Sequence, residues 1–114
     1  MIRSNEVMLK VEEMVCSCVN SHLHATGNSA VTIENIYCGK KNIPFAKAVA
    51  RNFVFDVLHN RYGFPYSIIA QRGGCNRESV MRCVRKCHNL SKFDHTYKTI
   101  GDIIDGKLKE WYGE

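Results

Sequence analysis

Apolar residues recur at intervals of three and four along almost the whole chain, and nowhere do they alternate with period two for long enough to make a strand. Val7, Val11, Met14, Val15, Cys18, Val19 and His22 form one stripe over residues 4 to 25, and Phe45, Val49, Phe53, Val57 and Leu58 form a second. Val80, Cys83, Val84 and Cys87 make a narrow third stripe; Tyr97, Ile100, Ile104, Leu108 and Trp111 make a fourth. A helix striped in this way has to bury its apolar side against another, so the pattern predicts an all-α fold, a compact bundle of five or six helices. With 114 residues there is apolar surface enough for one unaided domain, and 1–114 is read as a single helical domain.

The punctuation between stripes sets the expected boundaries. Thr26-Gly27-Asn28-Ser29 ends the first helix, because Gly and Asn tolerate the left-handed cap. Thr32 caps a short helix over Ile33–Cys38, with Glu34 in its first turn, and Gly39-Lys40-Lys41-Asn42 follows as a basic loop. Pro44 sits in the first turn of a helix reaching about Arg61, closed by Tyr62-Gly63. Pro65 opens a two-turn helix to Arg72 that Gly73-Gly74 breaks, Asn76 caps the next helix, and a last one starts at Asp94.

Several functional classes are disfavoured. No apolar run approaches the roughly 18 residues of a membrane span, and Met1 to Glu6 lacks the apolar stretch of a signal peptide, so a soluble cytoplasmic protein is expected. The six cysteines (16, 18, 38, 75, 83, 87) then read as reduced thiols. Cys16, Cys18, His22 and His24 do not make a zinc site, because Cys16 and Cys18 point about 200° apart on a helix. Nucleophile elbow, His-Glu-x-x-His and phosphate-cradling Gly-x-x-x-x-Gly-Lys-Ser/Thr motifs are all missing, and Asp102 and Asp105 read as solvated charges beside Lys98 and Lys109. Neither an enzyme nor a cofactor is expected.

The charge is unevenly placed. Residues 40 to 92 hold eleven Lys or Arg against only Asp56 and Glu78, a net +9, whereas the rest of the chain carries −4. A positive block between mildly acidic ends is the footprint of a face held against a polyanion. Its centre is Ile69-Ala70-Gln71-Arg72-Gly73-Gly74-Cys75-Asn76-Arg77-Glu78-Ser79-Val80: a short helix, a glycine turn and a polar-capped second helix, together a helix-turn-helix over about residues 65–89. In the second helix Val80, Cys83, Val84 and Cys87 face inward, leaving Arg77, Glu78, Met81, Arg82, Arg85 and Asn89 outward. Such a face suits the major groove, where Arg pairs with guanine and Glu accepts from cytosine. Cys75, between Arg72 and Arg77, is the thiol whose pKa nearby positive charge would lower.

From about Val11 to Lys109 the chain resembles the C-terminal DNA-binding domain of the bacterial replication initiator DnaA, of the Trp-repressor-like helical class. The resemblance lies in Ile68 through Gly73-Gly74, the tetrad Cys75-Asn76-Arg77-Glu78, Ser79-Val80 and Arg85-Lys86, and upstream in Glu34-Asn35-Ile36-Tyr37, Lys40-Lys41 and Ala48-Val49-Ala50-Arg51. It implies duplex recognition with Asn76, Arg77, Glu78 and Ser79 at bases or adjacent phosphates, Lys40 and Lys41 at the minor groove, and Tyr66 and Ser67 on the backbone. The tetrad departs from the initiator's Arg-Asp-His-Thr type, so a different target sequence is expected. Arg72 stands where the family has an apolar residue; sliding the frame by one instead puts Ile69-Ala70 in the packing positions of a generic helix-turn-helix. Both registers are compatible with the residues.

The resulting expectation is sequence-specific binding of double-stranded DNA, in transcription regulation or replication-related targeting, with a homodimer or a larger replication or regulatory assembly as the partner forms considered. Lys40, Lys41, Lys47, Arg51 and Arg72 are expected to hold phosphates, and Asn76, Arg77, Glu78, Ser79 and Arg82 to read bases. The alternative is a protein-interaction module whose first and last helices carry the partner. Binding of single-stranded RNA is less favoured because no aromatic cluster interleaves the cations.

Overall fold

The computed structural model describes residues 4–39 and 43–111, and among them every regular element is helical. The order is α1 (Ser4–Leu23), a 3₁₀ turn (Gly27–Ser29), α2 (Phe45–Asp56) running directly into a π-helical turn (Val57–Arg61), α3 (Tyr66–Gly73), α4 (Arg77–Phe93) and α5 (His95–Trp111). The all-α expectation holds among the described residues, with five α-helices where five or six were expected. Among the described residues no helix is long and apolar enough to cross a membrane.

α2 is the central element, packed on α1 and on α4, while α5 closes the bundle against α1 and α4. Its Val49, Ala50, Phe53, Val54, Phe55, Val57 and Leu58 are all buried. Seven apolar residues in one segment leave little room for a polar face, which is what an element covered on both sides requires. Asn52, also buried, donates to the Tyr97 hydroxyl at 2.9 Å, so the one amide in this stretch is partnered rather than stranded. Phe45 departs from expectation: it begins α2 but is 57% exposed, the core starting one turn later at Val49.

Local hydrogen bonds explain the other departures. α1 ends at His24, whose φ of 54° supplies the left-handed cap expected of Gly27 and Asn28, and the Ala25 N–H closes onto the Asn20 carbonyl at 3.0 Å. The short helix expected over residues 33–38 is a set of turns. There the Asn35 side chain accepts from the Thr32 N–H at 2.8 Å and donates to the Ala30 carbonyl at 3.1 Å, competing with the backbone ladder that a helix needs. Asp94 does cap α5, its carboxylate accepting from the Tyr97 N–H at 3.1 Å.

A cleft of about 280 Å³ between the π-helical turn and α5 is lined by Asp56, Arg61, Lys98, Asp102 and Asp105. Asp105 pairs with Arg61 across this cleft, both side chains staying about half exposed to solvent. Burial raises the pKa of Asp56 above the ordinary aspartate value, against the opposing pull of the Asn60 hydrogen bond and of Arg61. A carboxyl group whose folded pKa is raised is penalised once ionised, so its cost is absent at acid pH and sets in as pH rises through the carboxylate range. Asp56→Asn, which keeps an acceptor for Asn60, is therefore expected to raise the melting temperature at pH 7 and to leave it unchanged near pH 3. Equal shifts at the two pH values would assign the effect to something other than ionisation.

Candidate nucleic-acid interface

α3 and α4 meet through a turn of three residues, Gly74-Cys75-Asn76, and each of its features has a local cause. Gly74 adopts φ 67°, a conformation that L side chains rarely take, and the Cys75 N–H returns to the Ala70 carbonyl at 3.1 Å. Gly73 contributes differently: a Cβ there would lie 3.0 Å from Phe55 Cζ, tighter than ordinary contact, so a side chain at this position would need the Phe55 ring to give way. Asn76 starts α4, its side-chain oxygen accepting from the Ser79 N–H at 2.8 Å. Ile69, Ala70 and Val80 are buried beside this turn, whereas Arg72 is 28% exposed.

With Val80, Val84 and Cys87 turned inward, α4 presents Arg77, Glu78, Arg82, Arg85, Lys86 and Asn89, all exposed. Among the described residues none of the four cations is in an ion pair. Ser79 and Met81 are half-buried at the edges of this face. A cleft of about 390 Å³ runs from the start of α4 to the chain on either side of the basic loop, with Gly39, Ile43, Arg51, Cys75, Asn76 and Ser79 in its walls. Lys47 is half-buried on α2. Lys40 and Lys41 lie outside the described residues.

Three of these residues have surroundings that the sequence did not reveal. Arg72, expected at a phosphate, donates through its Nε and Nη2 to Glu12 Oε2 and Oε1 at 2.9 and 2.7 Å, and Glu12, on α1, is 2% exposed. Arg51 is likewise engaged, donating to the Ile36 and Cys38 carbonyls at 3.0 Å each, where it fixes the chain entering the basic loop. Cys75 lies at the turn as expected, but burial raises its thiol pKa and outweighs the lowering by Arg51, so the expected depression does not arise. Tyr66 stacks on His59 with ring centroids 3.9 Å apart, a contact that braces the start of α3 beside exposed Ser67.

The residue that sequence reasoning missed is Glu12. It sits four residues after Met8 and four before Cys16, all three buried along α1, and an acid on an inward stripe requires a cationic partner. That signal was present; the identity of the partner was not. The tyrosine hydroxyl of Tyr37 also donates to Glu12 Oε2, and no buried side-chain nitrogen or oxygen among the described residues lacks a partner. Comparison with protein-family models, with curated proteins and with solved structures gives no match.

Proposed function

We propose that this chain is a cytoplasmic, sequence-specific double-stranded DNA-binding protein of the helix-turn-helix kind, with α3 and α4 as the two helices and α4 lying in the major groove. The observation that carries the reading is the outer face of α4: four exposed cations, none ion-paired among the described residues, on a helix capped by Asn76 and braced by Gly73 and Gly74. Cations left unpaired on one rigid face are available to phosphates and guanine edges at no cost in broken intramolecular bonds. The resemblance to the DnaA C-terminal domain, which rests on the residues quoted above, adds a minor-groove contact from Lys40 and Lys41 and suggests a role in replication or transcription.

In this reading Arg77, Glu78, Ser79 and Arg82 face base edges, and Lys40, Lys41, Lys47, Arg85 and Lys86 face phosphates. Asn76 contributes through its amide nitrogen, its oxygen being held by the cap. Arg51 and Arg72 act within the protein. Selection of bound duplexes from a random pool tests the reading, and enrichment of a defined sequence is the expected result. On the enriched duplex, Arg77→Ala should relax preference at one position by roughly tenfold, whereas Lys41→Ala should weaken all duplexes about equally. No enrichment, together with a concentration-dependent dimer indifferent to added duplex, would instead favour an interaction module built on α1 and α5.

A further inference from the structure

From its place on α4 we infer that Phe93 is a further specificity-determining residue, which packs its ring against the C5-methyl group of a thymine in the major groove. The inference deepens the duplex-binding reading above and rests on it. Phe93 is 87% exposed, whereas the next most exposed large apolar side chain among the described residues, Phe45, is 57% exposed. Packing within the fold does not account for it: the last buried position of α4 is Cys87, and Leu90 after it is only partly covered.

What lies around Phe93 is the outer face of α4. Glu78, Arg82, Lys86, Asn89 and Phe93 follow one another at steps of four, four, three and four residues, all exposed, and so form one stripe on the side away from Val80, Val84 and Cys87. The ring ends the line that Glu78 and Arg82, proposed to face bases, begin. α4 is α-helical from Arg77 to Phe93, and its cations Arg77, Arg82, Arg85, Lys86 and Lys92 are spread along that length rather than gathered in its first turn. Attraction to a polyanion therefore runs along the helix and not only at its start. At the rise of an α-helix Phe93 lies about 16 Å past Arg82, well short of one turn of the duplex, so with Arg82 at a base edge the ring stays over the same groove.

The chemistry of the side chain selects its ligand. A phenyl ring offers no N–H or O–H to a phosphate, and the apolar group that base edges display in the major groove is the thymine methyl. Asp94, the acid that follows Phe93, has its carboxylate engaged by the Tyr97 N–H at the start of α5.

The test uses the full chain and the duplex enriched from the random pool. Each thymine in turn is replaced by deoxyuridine, which lacks only the C5-methyl, and affinity is measured at one salt concentration for wild type and for Phe93→Ala. Wild-type protein should lose roughly fourfold at one thymine, the size of one buried methyl's contribution, and Phe93→Ala should bind the thymine and uracil duplexes equally there. The ring is exposed, so the variant should melt at the wild-type temperature. An equal uracil effect in wild type and Phe93→Ala overturns the inference. So does loss, in Phe93→Ala, of a concentration-dependent dimer formed without DNA while the uracil effect persists, since the ring then belongs to a second copy. An enriched duplex with no methyl-sensitive thymine removes the role of Phe93 and leaves the duplex reading standing, whereas failure to enrich any duplex overturns that reading and this inference with it.

Discussion

Arg72→Met is expected to destabilise the fold by about 3 kcal/mol, the lower end of the range for removing one partner of a buried ion pair. Methionine keeps most of the apolar stem, so the loss is that of the guanidinium and not of packing. Glu12 is 2% exposed and is left with Tyr37 as its hydrogen-bond donor. For a domain of this length the melting temperature should fall by about 12 °C. The reciprocal change is milder. Arg72 is 28% exposed, so in Glu12→Gln the guanidinium can turn to solvent, and a loss of about 1 kcal/mol is expected. Combining Glu12→Leu with Arg72→Met should recover part of the stability, because neither charge then remains buried although the Tyr37 hydroxyl loses its acceptor. Thermal or urea denaturation followed by circular dichroism measures all three, and equal, small losses in the two single variants would show that the pair behaves as a surface contact.

Duplex affinity is expected to fall about a thousandfold between 50 and 200 mM salt. In the proposed reading Lys40, Lys41, Lys47, Arg85 and Lys86 meet phosphates and Arg77 and Arg82 enter the groove, so once Arg51 and Arg72 are set aside about six phosphates are neutralised. Neutralising about six phosphates gives a log–log slope near −5, which over a fourfold change in salt amounts to three decades. A titration of random duplex at four salt concentrations measures the slope, and a value near zero would remove the electrostatic basis of the proposed function. A slope nearer −7 would indicate that Arg51 and Arg72 release their internal partners on binding.

The helices were legible because each rests on residues close in sequence. The stripes from Val11 to Val19 and from Tyr97 to Leu108 are buried as the periodicity requires, and Asn76 and Asp94 cap the helices that follow them. Misjudged ends have local causes that residue type does not reveal: a histidine, not a glycine, takes the left-handed position after α1, and the Asn35 side chain replaces a short helix with turns. The candidate interface was legible in part. The outward residues of α4 follow from its inward ones by the helical period, but the partners of Arg51 and Arg72 do not.

Sequence alone therefore determined an all-helical chain with a cationic middle and a glycine turn leading into a capped helix, since propensity, periodicity and charge are properties of neighbouring residues. Which arginines remain outward was decided only in three dimensions. Glu12 and Arg72 are sixty residues apart and Arg51 reaches back fifteen to Ile36. The reason is physical: a buried carboxylate binds whichever cation the packing of α1 against its neighbours delivers to it, and no local pattern records that choice.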